Sequence, residues 1–128
     1  MRVLLDTHTF LWAGLNSPKL SEHARAIFDD PAAQVSVSVV SLWEIAIKLG
    51  KGTLNLSEPF EPFVNRVLQE LVVDRLPIKM PHLNCLTSLP YHHRDPFDRL
   101  LIAQALAEGV PLLSADAELD AYGLQRIW

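Results

Sequence analysis

Short, dense apolar runs alternate along the chain with longer segments in which apolar positions recur every three or four residues, the pattern of buried strands joined by helices. Four runs read as strands: Val3-Leu4-Leu5, Val35-Ser36-Val37, Val72-Val73 with Leu76-Pro77-Ile78, and Val110-Pro111-Leu112-Leu113. Phe10, Leu11 and Trp12 predict a helical turn before Gly14, and Ser21 opens a helix through Ala24, Ile27 and Phe28. Ser38 is placed to cap a helix over residues 39–49, closed by Gly50, on which Val39, Leu42, Trp43, Ala46 and Leu49 form one apolar face. Phe60, Phe63, Val64, Val67, Leu68 and Leu71 space out an amphipathic helix, and residues 81–89 a short one. The most sharply framed helix has Asp95 as N-cap, Pro96 at its first position and Gly109 just past its end. Strands separated by helices predict an α/β domain with a short, mainly parallel sheet.

Composition narrows the setting. At 128 residues the chain is of single-domain size and can bury about two-thirds of its unfolded surface. No repeat or flexible linker divides it, so residues 1–128 are expected to form one domain. Lys plus Arg number 11 against 15 Asp plus Glu, a net charge of −4, which argues against a protein that coats nucleic acid through a basic surface. A nuclease that meets phosphates through bound cations remains compatible with that charge. The lone Cys85 can form no internal disulfide, the first residues fit no signal peptide, and no uncharged run reaches the roughly 18 residues of a membrane span. A soluble, cytoplasmic protein without membrane contact is the expectation.

Four acids stand out against this frame. Asp6 follows the first strand and Asp116 the fourth. Glu44 sits in largely apolar company on the third predicted helix, and Asp98 opens the helix after Asp95. Each has a structural use of its own. Asp6 and Asp116 could cap turns or helices, Glu44 could pair with Lys48 four residues on, and Asp98 could complete a capping box. In a parallel sheet, however, ligands bind beyond the carboxyl ends of the strands, and ordinary crossovers bring all four acids to that edge. One acidic pocket replaces four independent explanations. Converging carboxylates repel unless cations join them, and oxygen-only ligands suit Mg²⁺, with Mn²⁺ as the alternative. Such ions bridge phosphate oxygens and activate water, so phosphoester hydrolysis is the natural chemistry. His92-His93 invites a zinc reading, but no spaced third ligand accompanies the pair, and a loop meeting phosphates or solvent fits better.

In this order, Asp6-Thr7-His8, Glu44 within Ser41-Leu42-Trp43-Glu44-Ile45, Asp98 before Leu101-Ile102-Ala103, and Ser114-Ala115-Asp116 resemble PIN domains nearly end to end. The likeness is greatest to the VapC toxin ribonucleases of type II toxin–antitoxin pairs. His8 departs from the asparagine often found at that place in the family. The resemblance implies a three-layer α/β/α domain in which Asp6, Glu44, Asp98 and Asp116 hold Mg²⁺ and Thr7 and Ser114 orient the acids. It also implies a homodimeric endoribonuclease toxin that cleaves RNA and is held inactive by a cognate antitoxin protein. The competing reading is a catalytically silent PIN-fold protein that binds an antitoxin or RNA. A phosphatase of the haloacid-dehalogenase type would need an aspartate where His8 stands, and no Gly-rich phosphate loop follows the first strand. Lys48 and Lys51 beside Glu44, and His92, His93, Arg94 and Arg99 beside Asp98, are candidate RNA contacts that would place a basic rim around an acidic centre.

Overall fold

In the computed structural model, which describes residues 1–128, the pattern resolves into five parallel strands and seven helices. Strand β1 (Arg2–Leu5) leads through α1 (Thr7–Gly14) and α2 (Glu22–Asp29) to β2 (Gln34–Ser38). The chain continues through α3 (Val39–Lys51) and α4 (Phe60–Glu70) to β3 (Val73–Leu76), then α5 (Met80–Thr87), α6 (Pro96–Glu108) and β4 (Leu112–Leu113). A 3-10 helix over Ala117–Tyr122 precedes β5 (Arg126–Ile127). The sheet runs β3-β2-β1-β4-β5. The chain therefore builds outward from β1 in one direction, then returns past it to add β4 and β5 on the other side. That reversal sits between β1 and β4, where a doubly wound sheet opens its crevice.

Alternation along the strands makes the layers. Val3, Leu5, Val35, Val37, Val73 and Leu113 point to one face and pack with Phe10, Ala24, Ile27, Phe63 and Val67 from α1, α2 and α4. Leu4 and Leu112 point to the other face and pack with Leu101, Ile102 and Ala105 of α6. Partner registers agree, with Val3 beside Val35, Leu5 beside Val37 and Leu5 beside Leu113. The result is the three-layer α/β/α arrangement with an all-parallel sheet. No helix is long and apolar enough to cross a membrane.

Some boundaries differ from the sequence pattern. Helix α3 runs through Gly50 and stops at Gly52, which takes the left-handed conformation (φ 76°) that closes a helix. Its buried face is Val40, Ser41, Glu44 and Ile45; of the expected apolar stripe Leu42 and Leu49 pack against the core, while Val39, Trp43 and Ala46 face solvent. Strand β5 was invisible as a pattern because two residues carry no periodicity. Helix α6 is as framed: Asp95 caps it, Pro96 is its first residue and Gly109 follows at φ 66°.

Candidate active site

Local structure delivers each acid to the carboxyl edge of the sheet. Asp6 ends β1 and caps α1: one carboxylate oxygen accepts the Thr9 N–H at 2.8 Å, and the other accepts the Ser114 hydroxyl at 2.6 Å. Ser114 follows β4, is fully buried, and accepts the Asp116 N–H at 3.1 Å. One serine thereby ties the acid after β1 to the acid after β4. Asp116 caps the 3-10 helix through Oδ1, which accepts the Glu118 N–H at 3.1 Å.

Glu44 is 7% exposed on the buried face of α3. Its Oε1 accepts the Thr7 hydroxyl at 2.8 Å, and its Oε2 pairs with the Lys48 ammonium at 3.0 Å. The Thr7 hydroxyl also lies 3.0 Å from that of Ser41. Thr7 neighbours Asp6, so this bond joins Glu44 to the Asp6 turn much as Ser114 joins Asp116.

Asp98 occupies the third position of α6, where an acid could reach back to the N-cap N–H. It does not do so. Asp95 alone serves the helix end, accepting the N–H groups of Phe97 (2.8 Å) and Asp98 (3.2 Å), and the Asp95 N–H donates to His93 Nδ1 at 3.2 Å. The Asp98 carboxylate is left facing the other acids. Burial pushes its pKa up to about 6 from 3.8, helped by the negative charges of Asp95, Glu44 and Asp6 and opposed by His93. Asp98 thus feels the charges of both Glu44 and Asp6.

His93, placed on the rim by sequence spacing, reaches the centre itself. Its Nε2 lies 3.6 Å from Asp98 Oδ2 and 4.0 Å from Asp116 Oδ2, and one potential ligating atom from each of the three falls within 4.8 Å of the others. Because Nδ1 accepts a backbone N–H, a neutral ring carries its proton on Nε2, facing the acids. No local spacing signals this contact, which depends on how the loop before α6 folds.

The remaining candidate contacts separate. Arg99 is buried and donates to the carbonyls of Pro90 (2.8 Å) and Leu89 (3.2 Å), with its guanidinium 3.8 Å from the centre of the Tyr91 ring. It holds the loop before α6 in place and is not free to meet a phosphate, which corrects the sequence expectation. Lys48 is committed to Glu44. His92 stacks edge-on against Tyr122 at 5.0 Å. Lys51 and Arg94 are exposed and form no ion pair. His8 is exposed, its ring 5.7 Å from that of Trp12.

The PIN domain family model matches residues 3–124. Among solved structures, the chain is similar to VapBC2 from Rickettsia felis bound to a DNA fragment from its promoter, at 14% identity and a TM-score of 0.74, covering 99% of this chain and 98% of that one. VapBC-1 from nontypeable Haemophilus influenzae follows at 18% identity and 0.70, covering 99% and 97%. FitAcB from Neisseria gonorrhoeae is at 18% and 0.66, covering 98% and 96%. At these identities the likeness is one of fold. No curated protein matches the chain with significance.

Proposed function

The chain belongs to the PIN domain family, and on that premise we propose that it is a Mg²⁺-dependent endoribonuclease, the toxin of a toxin–antitoxin pair, acting in the cytoplasm as a homodimer and held inactive by a cognate antitoxin protein. One observation carries the catalytic part. Asp98, with no helix-capping duty, has its pKa raised to about 6 by burial and by the charges of Asp95, Glu44 and Asp6. Lys48 pairs with Glu44, but no cationic side chain forms an ion pair with Asp98 apart from His93 at 3.6 Å. The donors are carboxylates, a set that suits Mg²⁺ or Mn²⁺ rather than zinc.

Asp6, Glu44, Asp98 and Asp116 would hold the ion, which when bound would neutralise phosphodiester charge and make a water more acidic. The chain's own groups set the stage for that chemistry. Ser114 and Thr7 fix one oxygen each of Asp6 and Glu44 by hydroxyl donation, leaving the geometry of both carboxylates set before substrate arrives. The Nε2–H of His93 would donate to a phosphate oxygen lying between Asp98 and Asp116. Exposed Lys51 and Arg94 would hold phosphates flanking the bond that breaks. The antitoxin reading draws support from the fold likeness to VapBC and FitAcB structures.

The test is cleavage of RNA by the purified protein after chelation and reloading. Cleavage should return with Mg²⁺ or Mn²⁺, stop with EDTA, and fall by a factor of at least about 100 in Asp6→Asn and Asp98→Asn proteins that keep their circular dichroism. Cleavage that survives both EDTA and the substitutions contradicts the assignment.

A further inference from the structure

We propose that Trp43 is a stacking platform for an unpaired nucleobase, placed beside the acid centre so that an RNA strand held there lays a base on the indole. The inference rests on the nuclease reading above and names a recognition element for the same site.

The first observation is an indole that lies outside the core. Helix α3 buries Val40, Ser41, Glu44 and Ile45, and Trp43, about 100° away around the helix from Glu44, is 56% exposed. Val72, Met80 and Tyr91 are exposed further, but Tyr91 already carries the Arg99 guanidinium and the other two lie at turns or helix ends. Trp43 is exposed and yet held. The Phe97 and Trp43 rings pack in a T-shaped pair at 5.0 Å and 70°, a contact that orients the indole while more than half of its surface stays exposed.

The second observation is position. Trp43 immediately precedes Glu44 and Phe97 immediately precedes Asp98, so the paired rings hang from the same two helical turns that carry two of the acids. Trp43 also lines a groove of about 360 Å³ between α3 and α4, together with Leu42, Phe60 and Val64. Arg75, exposed and without an acidic partner, stands on that groove, with Glu61 and Asn65 opposite.

A strand leaving the acid centre past Trp43 would meet an open aromatic face and then an unpaired guanidinium. That order matches the base and the next phosphate of a single-stranded nucleic acid. Stacking accepts any base, so the platform would add affinity and demand an unpaired nucleotide without dictating sequence.

The test uses the full-length chain carrying Asp98→Asn with Mg²⁺ present, so that binding is read without cleavage. Its probes are a labelled mixed-sequence RNA of about 12 nucleotides and the same backbone without bases. Trp43→Ala should weaken binding of the base-bearing strand by about 5- to 100-fold and leave the abasic strand unchanged. Trp43→Phe should recover most of the loss, and the salt slope should not move because no charge is removed. Equal affinity with and without the indole overturns the platform. So does an equal loss on both strands, and so does failure of the base-bearing strand to bind at all. A Trp43→Ala protein that loses only self-association or capture of a protein partner, with RNA affinity intact, assigns the ring to a protein interface and overturns the proposal as well. Metal-dependent cleavage by the otherwise unaltered chain, run in parallel, separates the two readings. Cleavage without an indole effect removes the platform alone. An indole effect without cleavage removes the nuclease reading and leaves an RNA-binding surface.

Discussion

Asp98 is where local and tertiary demands on the chain diverge. A third-position acid beside an N-cap aspartate satisfies every local rule for a helix end, yet Asp95 does the capping and its N–H goes to His93. The consequence is a pH dependence with a definite sign. Below pH about 3 Asp98 is protonated folded and unfolded and has no effect on stability. Between pH about 4 and 6 the unfolded chain has lost this proton while the folded chain keeps it, so metal-free stability falls across that interval by about 3 kcal/mol and stays reduced above it. Asp98→Asn should be indistinguishable in melting temperature from the parent at pH about 3 and several degrees more stable at pH about 7.5 without metal. A parent protein at least as stable as the variant at pH 7.5 would show that Asp98 carries no such repulsion. The acids themselves were legible in the sequence because each combines an unusual place with a strand or helix end. For Asp6 the structural use and the proposed one coexist, since one carboxylate caps α1 and also accepts from Ser114. The burial of Arg99 and the reach of His93 to Asp98 and Asp116 escaped the sequence for a common reason. Burial against loop carbonyls and reach into a pocket depend on loop folding, which residue spacing does not encode.

Helix α6 was readable to the residue because its signals are chemical: an aspartate cap, a proline and a glycine that takes positive φ. Helix α3 was not, because its apolar positions spread over two faces and the core takes the one that also carries Ser41 and Glu44. A carboxylate on the buried side and an indole on the wet side invert what packing alone would choose, and inversions of this kind accompany function. Helices α1 and α4 show the opposite regime, where packing decides everything. A Cβ on Gly14 would lie 2.6 Å from Val67 Cγ2 and 2.9 Å from Phe63 Cζ, both in buried side chains, while Arg66 donates to the Gly14 carbonyl at 3.2 Å. Gly14→Ala should therefore destabilise the protein by about 1–3 kcal/mol in urea unfolding, with RNA cleavage by the folded fraction unchanged. No loss of stability would mean that the α1–α4 contact is looser than these distances.

On the scale of the whole molecule, sheet order brings acids from distant parts of the chain toward one edge of the sheet, where Asp98 and Asp116 come within ligand distance of His93. Building β2 and β3 to one side of β1 and β4 to the other opens the crevice between β1 and β4, and Asp6 and Asp116 leave those two strands. Glu44 and Asp98 arrive from the helices α3 and α6, which pack on each other. A net charge of −4 sharpens the consequence, because the basic groups beside the acids are few: Lys48 on Glu44, His93 near Asp98 and Asp116, and Arg126, whose guanidinium donates to the Ser114 carbonyl and feels the charge of Asp116. The most direct measurement is a Mn²⁺ titration of the chelated protein at pH 7.5, followed by the loss of free-ion paramagnetic resonance signal. Saturable binding in the parent chain, weakened at least about tenfold in both Asp6→Asn and Asp98→Asn, is what a shared carboxylate centre requires. Parent and variants that bind Mn²⁺ alike, or a parent that binds none, would contradict it.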